Sequence, residues 1–473
     1  MAERITPRSK DFSQWYADVI QHGELADYSP VRGCMVLRPD GYALWEVVQR
    51  ELNRKFQETG HRNAYFPLFI PESYLKKEKE HVEGFAPECA VVTHGGGKKL
   101  EEPLIVRPTS ETIINAMYAK WIKSYRDLPL LLNQWANVVR WEMRTRPFLR
   151  TLEFLWQEGH TCHATEGEAR SEALKMLEIY RSFVSETFAI PVIAGRKTES
   201  EKFAGALETY SIEAMMQDKK ALQSATSHFF GTHFAEAFDI KFQDRDGSQK
   251  FVHQTTWGIS TRIIGALIMT HSDDQGLVIP PKAAPAPVVI VPILQKNKDS
   301  SSLLEIARRL KADLKISCVV DDREEHSAGY KFNEWEVRGI PLRIEFGPRD
   351  LQDNACTFSR RDGVKTKVPL GEAPSQVEKT LQDFQASLLT KATNFLQENT
   401  FLEDKYDRFR ERLESNGGFF QMHWCGSSDC ESKVKEETKA TIRCIPFDQP
   451  AESGNCILCG KESKGRVIFS RNY

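Results

Sequence analysis

Residues 138–160 of this chain read VVRWEMRTRPFLRTLEFLWQEGH, and this stretch decides how the first half of the chain folds. Its two ends belong to longer segments, 130–142 and 152–164, that are rich in leucine, valine and aromatic residues. The connection between them, 143–150, carries three arginines. Two such segments on either side of a short polar connection predict two long β-strands joined by a charged loop.

Alternation along these strands places chemically distinctive side chains on common faces. Arg140 and Glu142 are two residues apart on the first strand, as are Trp156, Glu158 and His160 on the second. An arginine and a glutamate beside a basic loop suit a ligand that carries phosphates and a base with donor groups. A cross-strand ion pair beside a solvated loop is the alternative interpretation.

A second polar segment, RPTSE, occupies residues 107–111. In extended backbone Thr109 and Glu111 point the same way, and a hydroxyl beside a carboxylate suits a cationic amine. The alternative is a helix N-cap box, with Thr109 or Ser110 capping the helix that starts near Glu111.

A third segment, WGISTRIIG, occupies residues 257–265 and begins a strongly apolar helix with Arg262. A buried arginine without a partner is costly, so a phosphate is a natural ligand opposite it. A core helix that merely begins with arginine is the alternative.

Length and composition limit the class of protein. The chain has 473 residues, 40% of them apolar and 27% charged, which predicts about three folded domains. Its 64 basic and 66 acidic residues nearly cancel, so any polyanion must be bound by local patches. The beginning of the chain lacks the apolar core of a signal peptide. The longest aliphatic stretch near a linker, 288–294, is interrupted by Pro292 and is too short to span a bilayer. These features predict a cytoplasmic protein that has no membrane partner.

A proline-rich stretch, 280–287, predicts a linker in extended geometry. Before it, 41–60 reads as an amphipathic helix that stops at Gly60. After it, strands alternate with helices from 288 to 346, which predicts a small α/β unit with a largely parallel sheet. Residues 372–415 are expected to be helical and to lead into a cysteine-bearing tail.

Four cysteines in that tail form two close pairs, Cys425 with Cys430 and Cys456 with Cys459. Two such pairs separated by a loop suit structural Zn²⁺ held by four thiolates. Cys444 is expected to be a spare thiol, and His423 is an alternative to one of the four ligands.

Three blocks in this order resemble motifs 1, 2 and 3 of the class II aminoacyl-tRNA synthetases. They are the helix from Gly41 continued to Phe66-Pro67, residues 140–158, and residues 258–265. Further phrases are similar to those of the prolyl-tRNA synthetases of archaeal and eukaryotic-like type. They are FAPE at 85–88, RPTSE at 107–111, NQW at 133–135, FLRT at 148–151, FLWQEGH at 154–160, KFAG at 202–205 and TSH at 226–228.

The resemblance covers essentially the whole chain and implies both fold and activity. It implies an α+β catalytic domain with an antiparallel sheet at 1–282, an α/β anticodon-binding domain at 283–395 and a small α+β zinc-binding domain at 396–473. The implied activity is proline–tRNA ligation with L-proline, ATP with Mg²⁺, and tRNA(Pro). A homodimer held through the motif 1 helix and Pro67 is also implied.

Particular residues acquire roles from the same resemblance. The residues expected around proline are Thr109, Glu111, Arg140, Trp156, Phe203 and His228, with Phe85 and Glu88 nearby. Those expected around ATP are Arg140, Glu142, Arg150, Thr151, Gln223, Thr226, Ser260 and Arg262. Arg140 and Arg262 are expected to be catalytic, because fixed cations stabilise charge that spreads over phosphoryl oxygens.

Anticodon recognition is expected to involve Glu336, Arg343 and Arg349, since arginine pairs well with guanine edges and proline anticodons share two guanines. Surface charge on a helix end and a strand edge is the alternative for each of them. No editing domain is expected between Glu158 and Trp257, so misactivated alanine or cysteine would need a separate enzyme to clear it.

Two rival functions remain open at this point. One is another class II synthetase, of threonyl or histidyl type, but Trp156 and Phe203 favour a small apolar ring as the substrate. The other is a synthetase-like tRNA-binding protein without catalysis, which would be expected to lack the arginines that this chain retains at 140, 150 and 262.

Overall fold

The computed structural model describes residues 5–75, 89–295, 299–450 and 452–473. The strands before the proline-rich stretch are β1 (Ala26–Tyr28), β2 (Met35–Leu37), β3 (Arg62–Asn63), β4 (Phe69–Pro71), β5 (Ala90–Gly95), β6 (Lys98–Val106), β7 (Leu130–Val139), β8 (Glu153–His163), β9 (Val192–Arg196), β10 (Glu208–Met215), β11 (Ala221–Gly231), β12 (Lys241–Gln243), β13 (Gln249–Phe251) and β14 (His253–Ser260). The helices there are α1 (Phe12–His22), α2 (Pro39–Glu58), α3 (Glu72–Leu75), α4 (Glu111–Trp121), α5 (Glu166–Phe188), α6 (His233–Ala237) and α7 (Arg262–His271).

The two strands predicted around residues 138–160 lie inside an antiparallel sheet. β7 pairs with β8 along its whole length, with Leu130 opposite Cys162. The first strand ends at Val139 rather than at residue 142. Beyond Val139 one more hydrogen bond joins the strands, from the Arg140 N–H to the carbonyl of Leu152 at 2.8 Å, while the Leu152 N–H donates to the carbonyl of Gly33, a distant loop residue, at 2.9 Å.

The predicted helix at 41–60 is α2, and it packs its apolar stripe into the main core beside α5. Gly60 follows it with φ of +87°, the left-handed conformation that ends many helices at glycine. On the sheet, a Cβ at Gly159 would lie 2.1 Å from the Trp257 ring, so glycine is what lets Trp257 pack flat against β8. These contacts support the face of the sheet opposite the candidate site.

The proline-rich stretch does not form an extended linker. Residues Pro281–Ala283 form a 3₁₀ turn, and Ala283 and Ala284 are buried in the main core. The Lys282 N–H donates to the Gln385 side chain at 3.1 Å. Alanines among the prolines made this burial favourable, and the connection is therefore a packed element.

The next unit contains β15 (Val288–Pro292), β16 (Cys318–Val320), β17 (Leu342–Phe346), β18 (Ala355–Arg360) and β19 (Lys365–Pro369), in the spatial order β16-β15-β17-β18-β19. Its helices are α8 (Ser301–Asp313), α9 (Ala328–Val337), α10 (Pro348–Gln352) and α11 (Ala373–Glu398). The first three strands are parallel, as predicted, but β17, β18 and β19 are antiparallel. The prediction covered 288–346, where all three strands are parallel, and it did not include β18 and β19. Short connections return the chain beside β17 without a crossover, which makes these two strands antiparallel.

The last unit contains β20 (Thr400–Leu402), β21 (Phe419–His423), β22 (Thr441–Pro446) and β23 (Arg466–Ser470), with α12 (Tyr406–Ser415) and α13 (Ser428–Thr438). The predicted continuous helix at 372–415 is interrupted by β20. β22 pairs with β9, so one sheet of eleven strands runs through both the first and the last unit, in the order β20-β21-β23-β22-β9-β10-β11-β14-β8-β7-β3. Within the described ranges, every helix is too short or too polar to span a lipid bilayer.

Candidate active site

A cavity of about 220 Å³ opens on the face of the sheet formed by β8, β10, β11 and β14. The beginnings of α4 and α7 close two of its sides. It brings together most of the side chains predicted for proline and ATP, namely Thr109, Glu111, Arg140, Trp156, Phe203, Gln223, Thr226, His228, Ser260 and Arg262. A neighbouring cavity of about 160 Å³ adds Glu142, Arg150 and Thr151. Phe85 and Glu88 lie outside the described residues.

The acidic end of the cavity is formed by Thr109 and Glu111. The Thr109 hydroxyl donates a short hydrogen bond to Oε2 of Glu111, and both side chains are buried. Ser110 precedes α4 but makes no capping hydrogen bond to it, and its hydroxyl donates instead to Glu158. The N-cap box is therefore not how this segment is used, and a buried carboxylate with a hydroxyl faces the cavity.

The floor of this end holds a buried ion pair whose two members were not predicted for the site. Nε2 of His160 lies 2.9 Å from Oε2 of Glu158. Burial by itself would raise the pKa of Glu158 and lower that of His160, but their interaction outweighs burial. Hydrogen bonds to Glu158, the largest of them from His160, hold the pKa of Glu158 below its ordinary value, and Glu158 raises the pKa of His160. The period-2 alternation of the strand places both residues on the same face as Trp156, and this is the sequence feature from which they could have been predicted as site residues.

Aromatic rings form the apolar wall. The rings of Phe203 and His228 lie with centroids 4.6 Å apart, and Nδ1 of His228 is 3.0 Å from the Thr209 hydroxyl. Burial, with a smaller contribution from the charge of His160, lowers the pKa of His228 to about 3. His228 is therefore neutral at physiological pH, and this wall of the cavity is uncharged.

The opposite end of the cavity is cationic. Arg140 donates from Nε to the carbonyl of Pro108 at 2.9 Å, and its guanidinium lies 5.4 Å from the centre of the Trp156 ring. Arg150 lies 3.4 Å from Glu142. Arg150 belongs to the loop after β7, as the sequence predicted, whereas Glu142, which was predicted on the strand, also lies in that loop because β7 ends at Val139.

Arg262 has no carboxylate within ion-pair distance in the part of the chain that the structure describes. Its Nε donates to the carbonyl of Leu149 at 3.2 Å. Desolvation, followed by the charges of Arg140 and Arg150, lowers the pKa of Arg262 to about 10. Arg140, Arg150 and Arg262 together make this end a site for a polyanion.

The four cysteines predicted to hold a metal do come together. All four Sγ atoms lie within 4.8 Å of one another, and Cys425 is 3.7 Å from both Cys430 and Cys459. A tetrahedron with Zn–S bonds of about 2.3 Å has S···S edges of about 3.8 Å, so the thiols fit a zinc ion. His423 contacts Ser463 instead, with 3.1 Å between Nδ1 and the hydroxyl.

The three residues predicted to read an anticodon lie in the second unit. Arg343 on β17 is largely buried, 2.6 Å from Glu345, and donates to the carbonyl of Phe332 at 3.1 Å. Glu336 is half-buried on α9, and Arg349 is exposed on α10. Arg343 therefore already has protein partners, whereas Arg349 projects into solvent.

The chain is similar to known proteins along its whole length. Family models match a tRNA synthetase class II core domain (G, H, P, S and T) at 93–271, an anticodon binding domain at 287–380 and the C-terminal region of prolyl-tRNA synthetase at 406–473. Proline–tRNA ligases of Prosthecochloris aestuarii and Chlorobium limicola are 56% and 57% identical over 485 aligned residues, covering 100% of each chain. A crystal structure of prolyl-tRNA synthetase from Cryptosporidium parvum, complexed with halofuginone and AMPPNP, matches with a TM-score of 0.96 and 39% identity over 100% of this chain and 97% of that one.

Proposed function

The chain belongs to the prolyl-tRNA synthetases, a class II family, and we propose that the cavity on its main sheet joins L-proline to ATP before transfer to tRNA(Pro). It is a ligase, a proline–tRNA ligase. One observation carries the assignment of the site. One cavity has a buried carboxylate at one end, aromatic rings along its wall and, at the other end, an arginine that pairs with no carboxylate among the described residues.

Proline binds at the acidic end. Thr109 and Glu111 accept the secondary ammonium, because a buried carboxylate favours a cation there. Trp156, Phe203 and His228 enclose the ring, and the neutral His228 keeps that wall apolar. The carboxylate of proline then points toward Arg140.

ATP binds at the cationic end. Glu142 accepts from the adenine amino group, Arg150 and Arg262 bind the outer phosphates, and Arg140 binds the α-phosphate. The ribose and phosphates are further held by Thr151, Gln223, Thr226 and Ser260. ATP enters as its Mg²⁺ complex, and that ion supplies additional neutralisation of the phosphate oxygens.

The first reaction step is an in-line displacement at the α-phosphorus. A carboxylate oxygen of proline forms the new P–O bond, the bond to the β-phosphate oxygen breaks, and pyrophosphate leaves with its electron pair. Arg140 and Arg262 stabilise the charge on the phosphoryl oxygens, which is electrostatic catalysis by fixed cations. The prolyl group then moves to a terminal hydroxyl at the 3′ end of tRNA(Pro).

The other parts of the chain serve the tRNA and the fold. Glu336, Arg343 and Arg349 read the anticodon, and Arg349 is the best placed because its side chain is exposed. The four clustered thiols hold a structural Zn²⁺. None of the ten cysteines is in a disulfide, which suits the reducing cytoplasm. The motif 1 helix α2, together with Pro67, holds a homodimer.

Errors in amino-acid selection are proposed to be cleared by another enzyme. Between β8 and β14 the chain is taken up by α5, α6 and the strands β9 to β13, all built into the catalytic unit or lying beside it. A pocket that fits proline excludes the smaller alanine and cysteine weakly, since one methylene is worth roughly 10- to 200-fold in discrimination.

Amino-acid-dependent ATP–pyrophosphate exchange tests this function. The full chain is assayed with each of the twenty amino acids and without tRNA. Strong exchange with proline is expected. Exchange with a different amino acid in place of proline would show that the pocket has been assigned to the wrong substrate, and folded protein without any exchange would contradict catalysis.

A further inference from the structure

Gln134 on β7 occupies a buried position between two parts of the catalytic unit. Its side chain is 1% exposed. Its Oε1 accepts from the Phe66 N–H at 2.5 Å, while its Nε2 donates to Oε1 of Glu158 at 2.7 Å and to the Ser110 hydroxyl at 3.2 Å. The orientation of the amide is determined by these partners, because a backbone N–H can only donate and a carboxylate can only accept.

Both ends of this connection are themselves fixed. The carbonyl of Phe66 accepts from Nη1 of the fully buried Arg107 at 2.7 Å, so Phe66 is held through its N–H and its carbonyl. At the other end, Glu158 is 2.9 Å from His160, and both residues line the cavity in which proline is proposed to bind. Gln134 itself does not line that cavity.

We propose that Gln134 is a positioning residue for proline activation, holding the Glu158–His160 pair at the floor of the proline pocket and tying it to the Phe66–Pro67 segment. This inference rests on the proposed function of the pocket. A neutral amide is the side chain that suits this place, because it offers a donor to the carboxylate and an acceptor to the backbone without adding a charge.

Replacing Gln134 by glutamate keeps the shape and the acceptor for Phe66 but puts a second carboxyl group against Glu158. Two carboxyl groups at hydrogen-bond distance in a buried site do not both ionise freely, so one of them has a raised pKa. When protonated, the new carboxyl donates as the amide did; when ionised, it repels Glu158. The function of the variant therefore improves as the pH falls.

Other titratable groups near the pair must be considered in that pH dependence. They are His160 on β8, His228 on β11, Glu111 and Tyr118 on α4, and Arg107 after β6. On β14 the residue opposite Glu158 is Gly258, which has no side chain to titrate. The wild type carries all of these groups, so its own profile accounts for them in the comparison.

The experiment compares full-length wild type, Gln134→Glu and Gln134→Met by ATP–pyrophosphate exchange, varying proline and ATP separately from about pH 6 to about pH 8. For Gln134→Glu, kcat/KM for proline is expected to fall roughly 10- to 100-fold at pH 8, the factor that one hydrogen bond to a charged group is worth, and to recover toward wild type at pH 6. For Gln134→Met, which cannot donate in either state, a loss of similar size is expected at every pH. KM for ATP is expected to stay unchanged in both.

A merely structural role would lower all parameters together and would not produce recovery in acid. A Gln134→Glu profile parallel to that of wild type overturns the inference, as does a Gln134→Met variant with the wild-type KM for proline. The paired carboxylates could unfold Gln134→Glu at pH 8, which would be seen as loss of its thermal transition. In that case the KM values of Gln134→Met for proline and ATP test the inference by themselves. Wild type that fails to exchange with proline overturns the proposed function and this inference together.

Discussion

The Arg443 guanidinium lies 3.1 Å from Oε2 of Glu213, two residues separated by 230 positions in the chain. Lys197 approaches the other carboxylate oxygen at 2.7 Å and also donates to the carbonyl of Arg443 at 2.6 Å. All three side chains are buried. This cluster lies where β22 of the last unit joins β9 and β10 of the catalytic unit, so it helps to hold the two units together.

Replacing Arg443 by methionine is expected to destabilise the protein by about 2–4 kcal/mol, because removal of one partner leaves a buried carboxylate less well compensated. Urea or thermal denaturation measures the change. The matched control is Arg54→Met, since Arg54 and Glu58 form an ion pair with side chains 55% and 59% exposed, and its loss should cost less than about 1 kcal/mol. Equal effects of the two variants would contradict a structural role for Arg443.

Gly195 on β9 allows the same junction to form. A Cβ at this position would lie 2.4 Å from the carbonyl of Ile445 and 2.9 Å from Cβ of Cys444, both on β22. Gly195→Ala is therefore expected to destabilise by about 1–3 kcal/mol, as overpacking does. Gly167→Ala is the control: its Cβ meets nothing within 4 Å inside α5, and it should stabilise by about 0.5–1 kcal/mol. Both shifts are read from thermal unfolding.

Arg262 is expected to be indispensable to adenylate formation. Arg262→Met should lower kcat/KM for ATP about 100- to 1,000-fold in pyrophosphate exchange, because it removes one fixed cation from the developing charge. Arg262→Lys should restore little, since an ammonium lacks the planar fork that binds two phosphate oxygens. Arg309→Met, at a side chain 83% exposed, is the control. Wild-type kinetics for Arg262→Met would remove this residue from the site.

The sequence predicted the features that depend on neighbouring residues. The alternating pattern predicted β7 and β8, the apolar stripe predicted α2, and the motifs predicted ten of the residues that line the cavity. The resemblance also supplied the family, which the comparisons confirm. Each of these predictions rests on the spacing of residues that are close together in the chain.

Features that depend on distant parts of the chain could not be predicted in the same way. A hydrogen bond to the distant Gly33 lies just past β7, and the burial of the proline-rich stretch depends on Gln385. The continuous sheet depends on Gly195 meeting Ile445. Gln134 had no distinctive spacing, because its role arises only when Phe66 and Glu158 are brought to either side of it. Such contacts become visible only in three dimensions.

Stability is expected to fall as the pH decreases from 6.5 toward 4, partly through His271. Burial lowers the pKa of His271 to about 4, and its Nε2 lies 2.8 Å from the carbonyl of Phe188, to which it donates. Between that value and the ordinary value of about 6.5, the unfolded chain binds a proton that the folded chain does not, so acid favours unfolding. His163, with a pKa lowered to about 4 by burial, adds in the same direction.

The share of His271 amounts to about 2 kcal/mol between pH 7 and pH 5. His271→Gln retains a donor for Phe188 and should reduce the pH dependence of the unfolding free energy by that amount. A His271→Gln variant with the wild-type slope would show that His271 binds protons equally in the folded and the unfolded chain over this range.

The cysteine cluster is expected to stabilise the last unit without taking part in adenylate formation. Cys459→Ser removes one of four thiolates, so zinc content measured by elemental analysis should fall from about one ion per chain to well below it. Cys34→Ser, outside the cluster, should keep full zinc. Because none of the four cysteines lines the cavity, pyrophosphate exchange by Cys459→Ser should persist at temperatures where the variant is folded. Exchange lost together with zinc, from protein with an intact thermal transition, would instead place the metal in the chemistry.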